Sequence, residues 1–258
     1  MLDVALRAAR AGARVLLDGG LARRAAGRKQ LGGDYVTAFD RASEDAILEV
    51  LAREAPGIPV LAEERGGARD ATRWAVDPLD GTTNFTRGLP IVGVSVALIR
   101  DGVPEVGAVL APWMDLTFAG ERGRGVTLNG EPLARLDRVD AARAVVATAY
   151  PFRRKERLPE YEPVLHEVVR RFEDIRRAGV ASLDLAWIAS GSFDGYFELS
   201  LGTWDVAGGA ALVLELGGRV TDWDGGDGYL ESGDVMAGAP GVHEALLELA
   251  AGRPAPAR

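Results

Sequence analysis

The chain has 258 residues, of which 47% are hydrophobic and 26% are charged, and its formal net charge is −8. This composition is typical of a globular protein with a substantial core, and the negative charge disfavours free nucleic acid as a partner. The sequence contains no cysteine, which excludes disulfides, thiolate nucleophiles and sulfur-ligated zinc. Because its only two histidines, His166 and His243, lie far along the chain from its main acidic motif, a histidine-centred catalytic site is not expected.

The first half of the chain is predicted to contain helices followed by antiparallel strands. Apolar residues at helical spacing predict helices over residues 2–17 and 38–54. Strands are predicted over residues 60–62, 74–76, 91–99, 105–110 and 115–119, with a hairpin turn at 101–102. Arginines interrupt the first helix and no apolar run reaches the length of a membrane span, so we expect a cytoplasmic protein with no membrane partner.

Strands and helices alternate in the second half. Strands are predicted at 144–149, near 175, at 193–199, near 220 and at 235–237, and helices at 159–172, 181–189, 205–216 and 241–250. This alternation is typical of a layered α/β architecture. We predict a single domain over residues 1–258, with a soft internal boundary between subregions 1–140 and 141–258.

The most informative segment follows the predicted strand at 74–76 and reads Asp77-Pro78-Leu79-Asp80-Gly81-Thr82-Thr83-Asn84-Phe85. Two carboxylates stand at a strand end, Pro78 fixes the backbone between them, and the Leu79 carbonyl can point the same way. Gly81 permits a tight turn, after which Thr82 can begin a short helix with free N–H groups. Magnesium-assisted phosphate chemistry requires such hard oxygen ligands beside an anion-binding helix start. Either Asp alone also fits an ordinary capped turn.

Two further acidic segments strengthen the metal interpretation. Glu63 and Glu64 end the predicted strand at 60–62, just before a predicted turn at 66–67. A glutamate pair is usually a solvated loop, but adjacent strands would put Glu63 beside Asp77. Asp205 begins a predicted helix in the segment 204–208, where it would cap the helix and where the helix start favours its ionised form, which suits a metal ligand.

These three acidic segments, in this order, closely resemble the inositol monophosphatase family of magnesium-dependent, lithium-sensitive phosphomonoesterases related to fructose-1,6-bisphosphatase. The resemblance covers nearly the whole chain and includes the segments 36–40, 123–125, 129–130, 177–179 and 183–185. Its Asp-Pro-Leu-Asp-Gly-Thr element is highly specific, and its Trp-Asp element is moderately so. The resemblance implies an α/β (α+β) fold, a layered αβαβα sandwich of the sugar-phosphatase type, and a homodimer.

The resemblance also implies a set of metal ligands. Glu63, Asp77 and the Leu79 carbonyl are expected to hold a first magnesium ion. Asp77, Asp80 and Asp205 are expected to hold a second. A third, looser ion is expected near Glu63, and manganese can substitute for magnesium.

Catalytic and substrate-binding residues follow from the same resemblance. Thr82, backed by Asp40, is expected to orient and help deprotonate the attacking water, and Glu63 is a third catalytic candidate. The backbone N–H groups of Gly81 and Thr82 are expected to cradle the phosphate. Glu198 matches the family position that binds substrate hydroxyls. Asp80 and Asp205 are also expected to contact the substrate. Ala181 and Ser182 stand where family members vary, and they are expected to shape the sugar pocket.

Basic residues raise the question of a second phosphate. A cluster of Arg153, Arg154, Lys155 and Arg157 follows the predicted strand end at 150–152. It fits either a solvated helix start or a site for a second phosphate of a sugar bisphosphate. Arg176 and Arg177 raise the same question, and Lys29 matches a basic residue near the family's mobile metal-site loop.

The expected reaction is magnesium-dependent hydrolysis of a small polyol or sugar phosphate by an activated water, with inositol 1-phosphate as the leading substrate. Fructose-1,6-bisphosphatase activity, alone or as a second activity, is the main alternative. Phosphatase activity toward 3′-phosphoadenosine phosphate, NADP or histidinol phosphate is a further, less favoured alternative. A non-catalytic homologue that works through a partner is disfavoured because the acids and the threonine of the site are all present.

Overall fold

The computed structural model describes residues 1–21, 27–28, 35–36 and 38–253. Lys29 and Thr37 therefore lie outside the described residues. Within the described residues the α-helices are α1 (Leu2–Gly19), α2 (Ala38–Glu54), α3 (Thr82–Arg87), α4 (Leu158–Arg171), α5 (Ala181–Ala189), α6 (Thr203–Glu215), α7 (Tyr229–Ser232) and α8 (Val242–Ala250). No helix in this part of the chain is long and apolar enough to cross a membrane.

The strands of the described chain form three sheets. They are β1 (Gly27–Arg28), β2 (Tyr35–Val36), β3 (Val60–Ala62), β4 (Gly66–Gly67), β5 (Arg73–Asp80), β6 (Gly93–Arg100), β7 (Val103–Ala111), β8 (Leu116–Glu121), β9 (Gly125–Leu128), β10 (Glu131–Pro132), β11 (Val145–Thr148), β12 (Asp174–Arg176), β13 (Gly195–Glu198), β14 (Arg219–Thr221) and β15 (Val235–Gly238). Strands β1 and β2 pair with each other. The larger sheets have the orders β10-β9-β8-β7-β6-β5-β3-β4 and β12-β11-β13-β15-β14.

The helices and the two large sheets alternate in five layers. Helices α1 and α2 pack against each other and cover one face of the eight-stranded sheet, while α5 and α6 lie between the two large sheets. Helices α4 and α8 cover the outer face of the five-stranded sheet. The predicted αβαβα sandwich is thus confirmed.

Helix α6 is apolar on all sides because it is enclosed by both sheets. Every residue from Val206 to Val213 is buried, which is the pattern of a helix inside a core rather than on a surface. Gly107 of β7 allows this helix to approach the first sheet closely, because a Cβ atom on Gly107 would lie 2.2 Å from the Gly208 carbonyl oxygen. The close approach brings the start of α6, with Asp205, toward the end of β5.

The structure differs from the sequence prediction around the acidic motif. The predicted strand at 74–76 is longer, because β5 continues through Asp80, with a register shift between Asp77 and Asp80 that accommodates Pro78. Strand β3 pairs in parallel with β5, against the antiparallel expectation. The glycines at 66–67, predicted as a turn, form the edge strand β4, and the β9–β10 hairpin and α7 were not predicted.

Candidate functional site

Three buried carboxylates meet at the end of β5. One carboxylate oxygen from each of Asp77, Asp80 and Asp205 lies within 4.8 Å of the other two. Asp77 and Asp80 come from β5, and Asp205 comes from the first turn of α6. Their side chains are nearly inaccessible to solvent, so their mutual repulsion is only weakly screened by water.

Asp77 is buried and lies among other acidic side chains. Its Oδ1 atom accepts a hydrogen bond of 3.0 Å from the Leu79 N–H, whereas its buried Oδ2 has no hydrogen-bond partner among the described residues. Burial, and then the charges of Glu63 and Asp80, raise the pKa of Asp77 well above its usual range. A buried, unpartnered oxygen among like charges is costly unless a cation is present. The oxygen donors therefore fit a hard divalent cation.

The other two acids of the trio are each fixed by neighbouring donors. The Ser182 N–H and hydroxyl donate to Asp80 Oδ2 at 2.7 and 2.6 Å. Burial and the charge of Asp205 raise the pKa of Asp80 well above its usual range, although the bonds from Ser182 act in the opposite direction. Asp205 accepts a 2.6 Å hydrogen bond from the Gly202 N–H at the start of α6. In each case one oxygen is anchored and the carboxylate is held in place.

Glu63 lies where the parallel pairing of β3 and β5 predicts. Its N–H donates to the Val76 carbonyl at 3.1 Å, next to Asp77, and it lines the same cavity as the acid trio. Among the described residues, the group of three acids within 4.8 Å of one another does not include Glu63. The next residue is anchored from α2, because buried Glu44 accepts a 2.9 Å hydrogen bond from the Glu64 N–H. Sequence reasoning had assigned no role to Glu44.

The turn after β5 brings Thr82 and Asp40 together. The Thr82 hydroxyl lies 3.2 Å from Asp40 Oδ1 and 3.2 Å from the Leu79 carbonyl oxygen, so its hydrogen can be donated to either. Gly81 has a φ of 87°, and a Cβ atom there would lie 2.7 Å from a Val180 methyl group. Glycine is therefore required both by backbone conformation and by space. As predicted, a short helix, α3, begins at Thr82.

These residues share a cavity of about 390 Å³. Glu63 and the trio line it, together with Ala181 and Glu198. Tyr150, Phe152, Arg153 and Arg177 line it as well. The cavity thus combines carboxylates, a hydroxyl group, cations and aromatic rings.

Glu198, at the end of β13, is a partly buried acid. It accepts a very short hydrogen bond from the Tyr196 hydroxyl. Burial raises the pKa of Glu198 to about 7, and the hydrogen bond from Tyr196 opposes the rise. Glu198 can therefore change its charge near neutral pH and can accept hydrogen bonds from a hydroxylated ligand when it is ionised.

The structure places the arginines of the predicted basic cluster in different surroundings. Arg153 lines the cavity. Arg154 pairs with Glu156 at the surface, and Arg157 is held by two other carboxylates. The cluster therefore does not act as a unit. Ser182, expected at the sugar pocket, binds Asp80 instead.

Buried carboxylates that share a cavity with a hydroxyl group and cationic side chains are features of proteins that process phosphate esters with metal ions. Comparison with known proteins identifies the family within this class. A sequence model of the inositol monophosphatase family matches residues 1–253. The chain belongs to the inositol monophosphatase family.

Individual relatives carry two kinds of name. Nus factor SuhB of Pasteurella multocida is 39% identical over 252 residues, which cover 96% of this chain and 94% of that protein. Inositol-1-monophosphatase of Mesorhizobium japonicum is 40% identical over 219 residues, which cover 84% of this chain and 82% of that protein. The solved structure of inositol monophosphatase from Anabaena (Nostoc) sp. PCC 7120 superposes with a TM-score of 0.86 at 35% identity, covering 98% of this chain and 96% of that one.

Proposed function

We propose that this chain is a magnesium-dependent phosphomonoesterase that acts on small polyol or sugar phosphates, with inositol 1-phosphate as its leading substrate. The observation that carries the proposal is the buried trio of Asp77, Asp80 and Asp205, within 4.8 Å of one another beside a polar cavity. Such a trio needs a cation, and a cation beside a cavity with donors can receive a phosphate ester.

The proposed metal ligands extend beyond the trio. Glu63, Asp77 and the Leu79 carbonyl would hold one magnesium ion, Asp77, Asp80 and Asp205 a second, and Glu63 would lie near a looser third. Manganese is expected to substitute, because its ligand preference is similar. When bound, magnesium supplies positive charge that offsets the phosphate and the acids and lowers the pKa of a water molecule.

Thr82 and Asp40 are proposed to orient the attacking water. Because the Thr82 hydroxyl can donate its hydrogen to Asp40 at 3.2 Å, its oxygen can accept one from a water in the cavity. Asp40 is fully buried, so its carboxylate is shielded from solvent where it lies next to the Thr82 hydroxyl. Glu63 lines the same cavity, and we assign it a part in accepting the proton of the water.

The remaining contacts recognise the substrate. The backbone N–H groups of Gly81 and Thr82, at the start of α3, are proposed to bind the phosphate oxygens. Asp80 and Asp205 line the same cavity and are proposed to contact the substrate there. Ala181, at the start of α5, and Glu198 would contact the alcohol portion, with Glu198 accepting hydrogen bonds from its hydroxyl groups.

Fructose 1,6-bisphosphate is the main alternative substrate. Arg153 and Arg177 line the cavity together with the acids, and the Arg177 guanidinium stands over the Phe152 ring at 5.5 Å from its centroid. Two guanidinium groups beside the cavity are suitable partners for a second phosphate. This feature supports a bisphosphatase activity, alone or alongside the monophosphatase activity.

The name Nus factor carried by the Pasteurella multocida relative supports a second candidate function, in which the chain acts through a partner rather than by catalysis. That relative is 39% identical over 96% of this chain and 94% of its own length. A homodimer, expected from the family resemblance, is compatible with either function and stays a prediction.

Phosphate release with and without magnesium tests the proposal. The substrates are inositol 1-phosphate, fructose 1,6-bisphosphate, 3′-phosphoadenosine 5′-phosphate, NADP and histidinol phosphate. We expect magnesium-dependent release, greatest from inositol 1-phosphate, and inhibition by millimolar lithium through a magnesium site. Absence of release from every ester, with folded and metal-bound protein, would favour the partner-dependent function.

A further inference from the structure

One wall of the cavity is a short segment, residues 199–202, that joins two proposed site residues. It leaves β13 directly after Glu198 and enters α6, which carries Asp205. Residues 199–201 line the cavity. Ser200 has a φ of 69°, in the left-handed region that residues other than glycine adopt only where surrounding contacts hold them.

Arg157 supplies the contacts that hold Ser200. Its Nη1 and Nη2 atoms donate to the two oxygens of Asp234 at 2.5 and 2.9 Å. Its Nη2 and Nε atoms donate to Glu160 at 2.6 and 3.1 Å, and Nη1 also donates to the Ser200 hydroxyl at 3.1 Å. Only the planar guanidinium fork can satisfy two carboxylates and a hydroxyl in fixed directions at the same time.

Asp234 extends the same network to the backbone of the wall. Its Oδ1 atom accepts a 3.1 Å hydrogen bond from the Ser200 N–H. The next N–H, of Leu201, donates to the Gly233 carbonyl at 2.9 Å. A Cβ atom on Gly233 would lie 1.9 Å from the Leu201 carbonyl oxygen, so the wall lies directly on this turn.

We propose that Arg157 is a positioning residue that holds the wall at 199–202 and thereby sets the affinity for the alcohol portion of the phosphate ester. This inference rests on the proposed function. Arg157 is not among the described residues that line the cavity, so it acts through Ser200 and Asp234. Loss of the clamp lets Ser200 return to ordinary φ values and displaces the wall next to Glu198.

The neighbouring Arg154 provides a matched control. It belongs to the same basic segment but pairs at the surface with Glu156. Its side chain is 58% exposed, whereas that of Arg157 is 15% exposed. Removing either guanidinium changes the net charge equally, so a difference between the two variants reports position rather than overall charge.

Steady-state kinetics on inositol 1-phosphate with saturating magnesium test the role. We expect Arg157→Gln to raise KM about tenfold with little change in kcat or in the magnesium dependence, and Arg154→Gln to match wild type. Asp234→Asn, which keeps an oxygen acceptor for the Ser200 N–H but loses the charge pair, should raise KM in the same direction. Should Arg157→Gln fail to fold, Asp234→Asn still tests the clamp.

A rescue separates positioning from general stability. Glycine adopts left-handed φ values freely, so Ser200→Gly added to Arg157→Gln should recover part of the lost affinity without restoring the thermostability of wild type. Wild-type KM in both Arg157→Gln and Asp234→Asn would overturn the inference. A KM increase without any recovery by Ser200→Gly would also overturn it.

A second readout does not depend on turnover. In wild type the amide hydrogens of Ser200 and Leu201 are bonded to Asp234 and Gly233, so Arg157→Gln should speed their exchange with solvent about tenfold and Arg154→Gln should not. If wild type hydrolyses no ester, the proposed function fails while this exchange result still tests the clamp. Unchanged exchange in Arg157→Gln would contradict the inference.

Discussion

The Ser43 hydroxyl donates a hydrogen bond of 2.8 Å to the Pro78 carbonyl, and both groups are buried. This bond ties α2 to the backbone between the two acids of β5. Asp40 and Glu44, on the same face of α2, contact two other segments of the site, the start of α3 and the end of β3. One helix face therefore contacts three segments that carry proposed site residues.

Replacing Ser43 tests this arrangement. Ser43→Ala leaves a buried carbonyl without its donor, so we expect the free energy of unfolding to fall by about 1–3 kcal/mol. Calorimetric titration should also show weaker magnesium binding. The exposed Ser192 provides a control, because Ser192→Ala should change neither quantity. Unchanged magnesium affinity in Ser43→Ala would show that α2 does not position the metal ligands.

Asp80→Asn tests whether the trio of Asp77, Asp80 and Asp205 binds the metal ion on which turnover depends. A neutral amide binds a divalent ion poorly, so we expect turnover to fall by about 10²–10³-fold or more. The fold should persist, because the amide oxygen can still accept both bonds from Ser182. Without metal the variant should be at least as stable as wild type, since one of three repelling charges is gone. Exposed Asp137 gives the control variant Asp137→Asn, and near-normal turnover in Asp80→Asn would refute the metal assignment.

The hydroxyl of Thr82 is tested by a pair of substitutions. Thr82→Val keeps the shape of the side chain but removes the hydroxyl, and we expect kcat to fall by about 10²–10⁴-fold. Thr82→Ser keeps the hydroxyl and should retain most of the activity. Equal activities of the two variants would mean that the hydroxyl does not orient the water.

Glu198 makes stability depend on pH in a defined direction. Its pKa is about 7 in the folded protein, against an ordinary value of 4.5. Between these values the folded state binds a proton that the unfolded state has released. The free energy of unfolding therefore falls as pH rises through this range, by about 1–3 kcal/mol from this group.

Urea unfolding at several pH values, in chelator, measures this effect. Asp77 and Asp80, whose pKa values are also raised, act in the same direction in wild type and in any Glu198 variant. Glu198→Gln should therefore flatten the decline only in part. Identical slopes for wild type and Glu198→Gln would contradict the pKa assigned to Glu198.

Local sequence predicted the parts of the site that depend on short-range structure. The ends of two adjacent strands placed Glu63 beside Asp77, and Gly81 with Thr82 predicted a turn and a helix start. The continuation of β5 through Pro78 was not predicted, because Asp-Pro and Asp-Gly are usually turn dipeptides. Here the β6 strand pairs with residues on both sides of the proline and keeps them in the sheet.

Contacts between residues far apart in the sequence could not be predicted from local sequence patterns. Ser182 holds Asp80 across 102 residues, and no spacing pattern connects them. Arg157 and Asp234, 77 residues apart, likewise carry no shared motif. The helix start suggested Asp205 as a metal ligand, but only the family resemblance joined it to the acids of β5, since its own segment reads equally well as a capped helix.

Phosphate release from inositol 1-phosphate, measured while chelator-treated protein is titrated with magnesium, tests the central claim most directly. We predict no release without metal and a saturable rise as magnesium is added, with Asp80→Asn inactive throughout. Release that is independent of metal, or equal in wild type and Asp80→Asn, would contradict the claim that the buried acids hold the ions on which hydrolysis depends.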